Sequence, residues 1–426
     1  MKIRYFFLII LLSAAIQQVS AQDTLRVMQY NLMFYGLYTD FCTAENNNVE
    51  AKDEYLKTIT GYYQPDIFAV NELGRGAHNL TRLRDNVFNV DGNDHFEYAT
   101  YTNTGNGWFA NGLFYDSRKF GLYEEAIVNT YIRDINLYTL YYKSDDLAHT
   151  QDTVFLTLVL AHLKAGNSTS DQQDRLTMIR NVMNYLGDNN YTGNVMFLGD
   201  FNMKSSYEQA YQQLLYHPNE DIRFYDPIGV EGVWGNNRDM APYHTQSPRT
   251  GSHPCFVTGG LDDRYDIILA SEEVMKGHRG LQYVQDSYLV PGQDGNRYNQ
   301  SLIDPPNFSA PEEIIYAMYN MSDHLPVMLE LQTVDFITSS VRDENIYRIS
   351  IANPVKDNLI IHLENTHDAL LQVDLFRVDG LWIDNYAVDG MHSPLLINVE
   401  SLPPGVYLLR FLFVSSNMLT KKIIKL

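Results

Sequence analysis

The chain has 426 residues, of which 45% are hydrophobic and 19% charged, so it can bury a large core and is not an intrinsically disordered chain. Thirty-one basic against 52 acidic side chains leave a net charge of −21, which excludes a protein that grips nucleic acid through a broad basic surface. Any phosphate chemistry here needs a metal or a small local site.

At the N-terminus Lys2 and Arg4 precede an apolar stretch, Tyr5 to Ala15, and the small-residue triplet Val19-Ser20-Ala21. Residues 1–21 therefore read as an export signal peptide, and the alternative is an N-terminal membrane anchor, for which the run is short. From residue 22 to 334 short apolar runs predict strands at Leu25–Asn31, Asp66–Glu72, Gly112–Tyr115, Thr153–His162, Val195–Leu198, Tyr265–Ala270 and Leu325–Leu331. Helices are expected near Ala51–Tyr63, from Ser170 to Leu186, and after Pro311, a residue suited to the first helical position. The second carries Leu176, Ile179, Val182, Met183 and Leu186 on one face, with Ser170 and Gln173 as a capping box and Gly187 as C-terminal cap. Strands without strict βαβ alternation predict an α+β sandwich of packed sheets flanked by helices. A linker spans 335–344. From Asn345 onward short β-rich runs, Asn358–Leu363, Gln372–Arg377 and Gly405–Phe413, are punctuated by Asn353-Pro354, Asp379-Gly380, Asp389-Gly390 and Pro403-Pro404-Gly405, which predicts a small β-sandwich over 345–426.

Two cysteines occur, Cys42 and Cys255, and an exported chain meets an oxidising compartment; a disulfide and two buried thiols are both open to the sequence. The chemistry sits at the ends of apolar runs: Asn31, Glu72, His162, Asp200 with Asn202, and Asp323 with His324. If those ends converge at one sheet edge, oxygen ligands and two imidazoles surround one pocket, as a hard divalent cation and a phosphate require. Gly199-Asp200-Phe201-Asn202 leaves a buried strand by a turn at Gly199, and an extended backbone there lets Asp200 and Asn202 face one water together.

The blocks Met28-Gln29-Tyr30-Asn31-Leu32, Val70-Asn71-Glu72, Ala161-His162-Leu163-Lys164, Gly199-Asp200-Phe201-Asn202, Arg264-Tyr265-Asp266-Ile267-Ile268-Leu269 and Ser322-Asp323-His324-Leu325-Pro326-Val327 together resemble the endonuclease/exonuclease/phosphatase superfamily across about 300 residues. That resemblance implies a four-layer α/β sandwich, two mainly antiparallel sheets flanked by helices, with the site at the strand ends. It implies Glu72 as the main metal carboxylate, with Asn31 and Asp323 completing the metal environment. It implies Asp200 as base on the attacking water, Asn202 placing that water, His324 on a phosphate oxygen with Asp266 fixing its tautomer, and His162 as donor to the phosphate or leaving oxygen. The His-Leu-Lys block looks more like the deoxyribonuclease, sphingomyelinase and phosphodiesterase branches than the abasic-site repair branch. Ala352-Asn353-Pro354-Val355-Lys356-Asp357-Asn358-Leu359, Asp379-Gly380, Leu402-Pro403-Pro404-Gly405-Val406-Tyr407 and Lys421-Lys422-Ile423-Ile424-Lys425-Leu426 resemble the type IX secretion C-terminal sorting domain. What that implies is a partnership with the type IX machinery and a secreted or cell-surface location.

The expected activity is thus an exported phosphodiesterase dependent on Mg²⁺, with Mn²⁺ or Ca²⁺ able to share the site, acting on nucleic acid or another phosphodiester. The first reading is a nuclease. The others are a sphingomyelinase-like or small-molecule phosphoesterase and, from another class, a surface binding protein on a retired enzyme scaffold. Further candidates are Asn111, in an Asn-Gly pair that also reads as a hairpin turn, and Trp234, Asn236, Asn237, Arg238, His244 and the segment Gly292 to Arg297 as a substrate groove. Asp262 and Asp263 form either an extra cation site or a solvated turn.

Overall fold

The computed structural model describes residues 23–105, 107–144, 147, 153–334, 348–351, 354–364, 369–377, 381–388, 394–413 and 418–426. The expected export signal, the linker 335–344 and the pairs Asp379-Gly380 and Asp389-Gly390 lie outside the described residues. The chain divides into two compact units between Val334 and Asp335. No helix among the described residues is long and apolar enough to cross a membrane.

The first unit runs β1 (Thr24–Tyr35), α1 (Val49–Tyr63), β2 (Ile67–Gly74), α2 (His78–Leu83), β3 (Phe96–Tyr98), β4 (Phe109–Asp116), β5 (Phe120–Asn129), β6 (Asp134–Tyr142), β7 (Phe155–His162), α3 (Thr169–Asp188), β8 (Val195–Asp200), α4 (Gln209–Leu215), β9 (Phe224–Tyr225), β10 (Asp266–Ser271), α5 (Glu272–Lys276), β11 (Leu281–Tyr283), α6 (Glu312–Met321) and β12 (Val327–Thr333). The strands form two six-stranded sheets, ordered β11-β12-β1-β2-β4-β3 and β5-β6-β7-β8-β10-β9. Only the pairs β1/β2 and β7/β8 are parallel; the other pairings are antiparallel.

Side-chain alternation along the strands builds the layers. In β8, Met196 and Leu198 join the core shared with the first sheet, whereas Val195 and Phe197 pack on the far side with Leu176, Ile179, Val182, Met183 and Leu186 of α3. In β10, Ile268 and Ala270 face inward, and Ile267 and Leu269 face α3. On the other flank α1 and α6 contribute Leu56, Ile59, Ile314 and Met318 to the first sheet's core. Central strands covered on both faces read as continuous apolar runs, which is why they were legible. The result is the expected four-layer sandwich.

Local details differ from expectation. The capping box of α3 lies two residues earlier: Ser168 Oγ accepts from the Asp171 N–H and Asp171 accepts from the Ser168 N–H, while the helix runs through Gly187 to an Asn189 cap. Pro311 occupies the N-cap of α6 and not its first turn, because its ψ of 147° is extended. The hairpin between β5 and β6 turns through Thr130, Tyr131, Ile132 and Arg133, without Gly or Pro, so no such signal separates the two strands. Cys42 and Cys255 are bonded across 213 residues, a closure that stabilises by roughly 5 kcal/mol at most in the chain-entropy account.

The second unit contains β13 (Arg348–Ile351), β14 (Asn358–Glu364), β15 (Leu370–Arg377), β16 (Trp382–Ala387), β17 (Leu395–Asn398), β18 (Gly405–Phe413) and β19 (Met418–Lys425). They form antiparallel sheets ordered β13-β14-β17 and β16-β15-β18-β19, and Leu359, Ile361 and Ile397 of one pack with Val373, Leu375, Leu409 and Phe411 of the other. This is the expected C-terminal β-sandwich.

Candidate functional site

Strand register brings the candidate residues to one edge. His162 pairs with Asp200 at the C-terminal ends of parallel β7 and β8, and Asp200 pairs with Asp266 at the start of antiparallel β10. In the other sheet Asn31 lies beside Asn71 near the ends of parallel β1 and β2, and Asp323 and His324 precede β12, which pairs with β1. Gly199 continues β8 and makes no turn. Its φ is +141° and a Cβ there would stand 1.8 Å from the Ala161 carbonyl oxygen, so only glycine lets β7 and β8 approach where they present His162 and Asp200.

The alternation of β1 and β2 breaks at the site. Register shifts occur between Asn31 and Tyr35 and between Val70 and Leu73, and Met33, Phe34 and Glu72 have φ of +40°, +53° and +59°. Left-handed backbone at such residues costs of order 1–3 kcal/mol each. What it achieves is convergence: the Asn31 amide donates to Glu72 Oε1 at 3.1 Å and to Asp200 Oδ2 at 2.9 Å, and the Phe34 N–H donates to Glu72 Oε2 at 3.3 Å. His162 Nε2 stands 3.5 Å from Asp200 Oδ2 and 3.8 Å from Glu72 Oε1. Ligand atoms of Glu72, His162 and Asp200 lie within 4.8 Å of one another.

Beside this cluster His324 Nδ1 lies 2.6 Å from Asp266 Oδ2, and its Nε2 lies 3.9 Å from Asp200 Oδ2. Asp323 Oδ2 accepts from the Val257 N–H at 2.9 Å, and its buried Oδ1 has no partner among the described residues. Asn31 Oδ1 accepts from the Met33 N–H, so its amide nitrogen, not its oxygen, faces the carboxylates. The tight ligand cluster therefore consists of Glu72, His162 and Asp200, with Asn31 and Asp323 flanking it. Asn202 is not extended: its φ is +53°, its N–H donates to Asp200 Oδ1 and its amide to the Leu163 carbonyl at 3.4 Å.

Burial governs the protonation of the site. It raises the Glu72 carboxyl, with repulsion from Asp323 adding, and it raises Asp200, with Asp266 and Glu72 adding and His324 opposing. Burial opposes charge on His324, but Asp266 and Asp200 outweigh it and hold the imidazole well above its ordinary value. His162 is held well below, by burial and by the positive Arg133 and His324. One imidazole is thus charged and the other neutral. A neutral imidazole with its Nε2 at two carboxylates, and a buried carboxylate oxygen without a donor, fit a divalent cation.

Arg133, Gln246 and Lys52 escaped the sequence reading, while Asn71 and Asn111 entered it without these roles. Arg133, from the β5/β6 hairpin, donates to the Leu163 carbonyl at 2.7 Å and lies 5.1 Å over the Phe109 ring beside His162. Gln246 places its side-chain nitrogen 2.8 Å from His324 Nε2. Lys52, buried under the β1 bulge, donates to the Leu32 carbonyl and is pulled down to about 7 by burial, against the fields of Asp323 and Glu72. Asn71 accepts from Gln29 and from the Asp200 N–H, and donates to Asn111, which donates to Asn136. Asn111-Gly112 lies within β4 and is no hairpin turn. A lone arginine in a hairpin and amides inside strands carry no local signature, and only their convergence identifies them.

The weaker candidates are mostly structural. Arg297 is buried and donates to the carbonyls of Ser301, Pro305 and Pro306. Arg238 lies 5.2 Å over Tyr298, and Tyr298 OH donates to the Asn236 carbonyl. Asn237 caps a short helical turn; Trp234 and His244 are fully buried, with His244 Nε2 bonded to the Trp234 carbonyl. Asp263 pairs with Lys204 at 3.0 Å.

No curated protein matches the chain in sequence. Solved structures similar to it include an endonuclease/exonuclease/phosphatase family protein from Bacteroides thetaiotaomicron, with 14% identity, 74% of this chain and 99% of that one covered, and a TM-score of 0.45. The human Nocturnin catalytic domain with bound sulfate anion has 15% identity, 74% and 98% coverage and a TM-score of 0.43. TDP2 of D. rerio, complexed with single strand DNA product, has 14% identity, 72% and 98% coverage and a TM-score of 0.43. Residues 352–426 match the family described as "Secretion system C-terminal sorting domain", and the chain therefore ends in a sorting domain of that kind.

Proposed function

We propose that this chain is a divalent-metal-dependent phosphodiesterase of the endonuclease/exonuclease/phosphatase superfamily, acting as a nuclease and exported by type IX secretion through its C-terminal sorting domain. The observation that carries the reading is the buried Glu72–His162–Asp200 cluster set directly against the His324–Asp266 pair.

Glu72 would hold the cation with Asp200 and His162 around it, the Asn31 amide would hold the two carboxylates in place, and Asp323 Oδ1 is a further buried oxygen without a partner among the described residues. Oxygen donors favour Mg²⁺, while the imidazole in the set admits Mn²⁺ and a larger site would take Ca²⁺. When bound, the cation would neutralise phosphate charge and stabilise the departing oxygen. Asp200, its carboxyl raised by burial, accepts a proton from the attacking water at neutral pH, with the Asn202 N–H on Oδ1 and the Asn31 amide on Oδ2 fixing how the carboxylate is turned. His324, charged and oriented by Asp266, donates from Nε2 to a non-bridging phosphate oxygen. His162 stays neutral, with its Nε2 at the Glu72 and Asp200 carboxylates where the cation would sit.

The test is hydrolysis of plasmid DNA, RNA, sphingomyelin and bis(p-nitrophenyl) phosphate by the purified chain with Mg²⁺, Mn²⁺ or EDTA, beside Asp200→Ala and His324→Ala. Metal-dependent cleavage lost in both variants, with nucleic acid preferred, is the expected result. Cleavage that survives EDTA and both substitutions refutes the mechanism, and preference for sphingomyelin refutes the nuclease assignment.

A further inference from the structure

A row of aromatic rings leads away from the ligand cluster. Phe109 stacks on the His162 ring, with centroids 5.5 Å apart and planes at 22°, and on Phe34, at 5.2 Å and 27°. Phe34 continues to Phe41 at 6.1 Å. Phe34 and Phe109 are half-buried, Phe41 is 48% exposed, and Trp108, next in the chain to Phe109, is 59% exposed.

Three features fix this row in place. Phe34 keeps its position at a left-handed φ of +53°, a backbone a phenylalanine disfavours, while packing on the Met33, Cys42, Cys255 and Phe256 cluster. Phe41 is chain neighbour to the disulfide-bonded Cys42. The Arg133 guanidinium lies over Phe109 and lines, with Asn103, Asn111 and Asp134, a recess beside it. Half-buried stacked rings beside a polar recess and a cation suit a flat, polar-edged ring. They do not suit acyl chains, which call for a protruding, contiguous apolar surface.

We infer that the row Phe109–Phe34–Phe41, which leads out from His162, is a stacking subsite for an unpaired nucleobase next to the scissile phosphate, so that the substrate is single-stranded nucleic acid and not duplex. The inference deepens the phosphodiesterase reading and rests on it for the position of the phosphate. A base can lie against the rings only when it is out of a duplex, and the chain's net charge of −21 offers duplex DNA little non-specific hold. Stacking supplies affinity that the charge withholds.

The experiment compares single-stranded and duplex oligodeoxynucleotides of one sequence as substrates for the full disulfide-bonded chain, and follows binding of the fluorescein-labelled single strand by anisotropy in Ca²⁺. Phe41→Ala, at an exposed ring, should raise KM for the single strand about tenfold with a smaller change in kcat, and Phe41→Trp should restore it. Phe34→Gly, which removes a ring where glycine suits the backbone, should do the same. Wild type should cleave the single strand faster than the duplex. Equal cleavage of both forms, with KM unchanged in the variants, overturns the inference; so does a loss confined to sphingomyelin in phosphatidylcholine vesicles, which assigns the row to lipid. If the single strand binds in a Phe41-dependent way but no phosphodiester is cleaved, the subsite stands and the phosphodiesterase reading falls. If bis(p-nitrophenyl) phosphate is cleaved while binding is indifferent to Phe41 and Phe34, the subsite falls and that reading stands.

Discussion

Replacing Asp266 by Asn changes no volume and removes one charge from a fully buried position. The carboxylate lies 2.6 Å from His324 Nδ1, and both side chains are at most 5% exposed. A hydrogen bond between charged groups in such surroundings is worth about 1.5–3 kcal/mol, so if His324 acts in the transition state, kcat/KM should fall about 10- to 150-fold. The assay is a double-mutant cycle on bis(p-nitrophenyl) phosphate with Asp266→Asn, His324→Ala and the pair. Because the Asp266 carboxylate is bonded to His324 and acts on Asp200 only through space, the Asn substitution should cost less than about threefold in the His324→Ala background. A loss below threefold in the single variant, or the same large loss in both backgrounds, would refute the reasoning; melting curves of each protein separate this from simple unfolding.

Three further outcomes follow from the same physics. Thermal melts in EDTA against added Mn²⁺ should show stabilisation approaching about 2.7 kcal/mol at a hundredfold excess over Kd, and Glu72→Gln should remove that gain; an undiminished gain in the variant would place the cation elsewhere. Asp226→Ala should lose about 3–5 kcal/mol in urea unfolding, because it strands the buried Arg264 guanidinium now held in two bonds of 2.8 and 3.0 Å, whereas Asp226→Leu with Arg264→Met should recover most of it; equal losses in the two proteins would sink the argument. Lys52 holds fewer protons in the folded than in the unfolded chain between its depressed value of about 7 and its ordinary 10.5, so its contribution to the metal-free protein's stability should rise with pH from 7 to 9, by up to about 1.4 kcal/mol per unit. In Lys52→Met that component of the slope should vanish, and an identical pH profile for variant and wild type would contradict it.

The parts of the molecule readable from sequence are those where local pattern and burial coincide. β7, β8 and β10 are short apolar runs because both faces are covered, and their polar ends, His162, Asp200 and Asp266, are conspicuous for interrupting the run. The short edge elements β3, β9 and β11 have two or three residues each and leave no periodicity to detect. Asn111 reads as a turn former because it precedes Gly112; here it sits inside a strand, as Asn71 does, and the two amides bond each other and reach the second sheet at the Asp200 N–H and at Asn136. Arg133 was invisible for the opposite reason: nothing in Thr130–Arg133 says where the hairpin points, and its closeness to His162 comes from the pairing of β6 with β7.

The feature that makes the site costly is the one that gives it a use. Glu72, Asp200, Asp266 and Asp323 are all at most 9% exposed and come from four different segments, so the fold gathers negative charge where water cannot screen it. His324 compensates Asp266, Arg133 and Lys52 act on the remainder only through space, and the raised Glu72 and Asp200 carboxyls record what is left over. Packing for stability alone would have replaced these groups by apolar ones of similar size. The left-handed backbone at Met33, Phe34 and Glu72 points the same way, since a regular continuation of β1 and β2 would avoid that strain but turn the Glu72 carboxylate from Asp200. A surplus of buried negative charge, bent into one point at the expense of regular strands, is the arrangement a divalent cation and a phosphodiester would together neutralise.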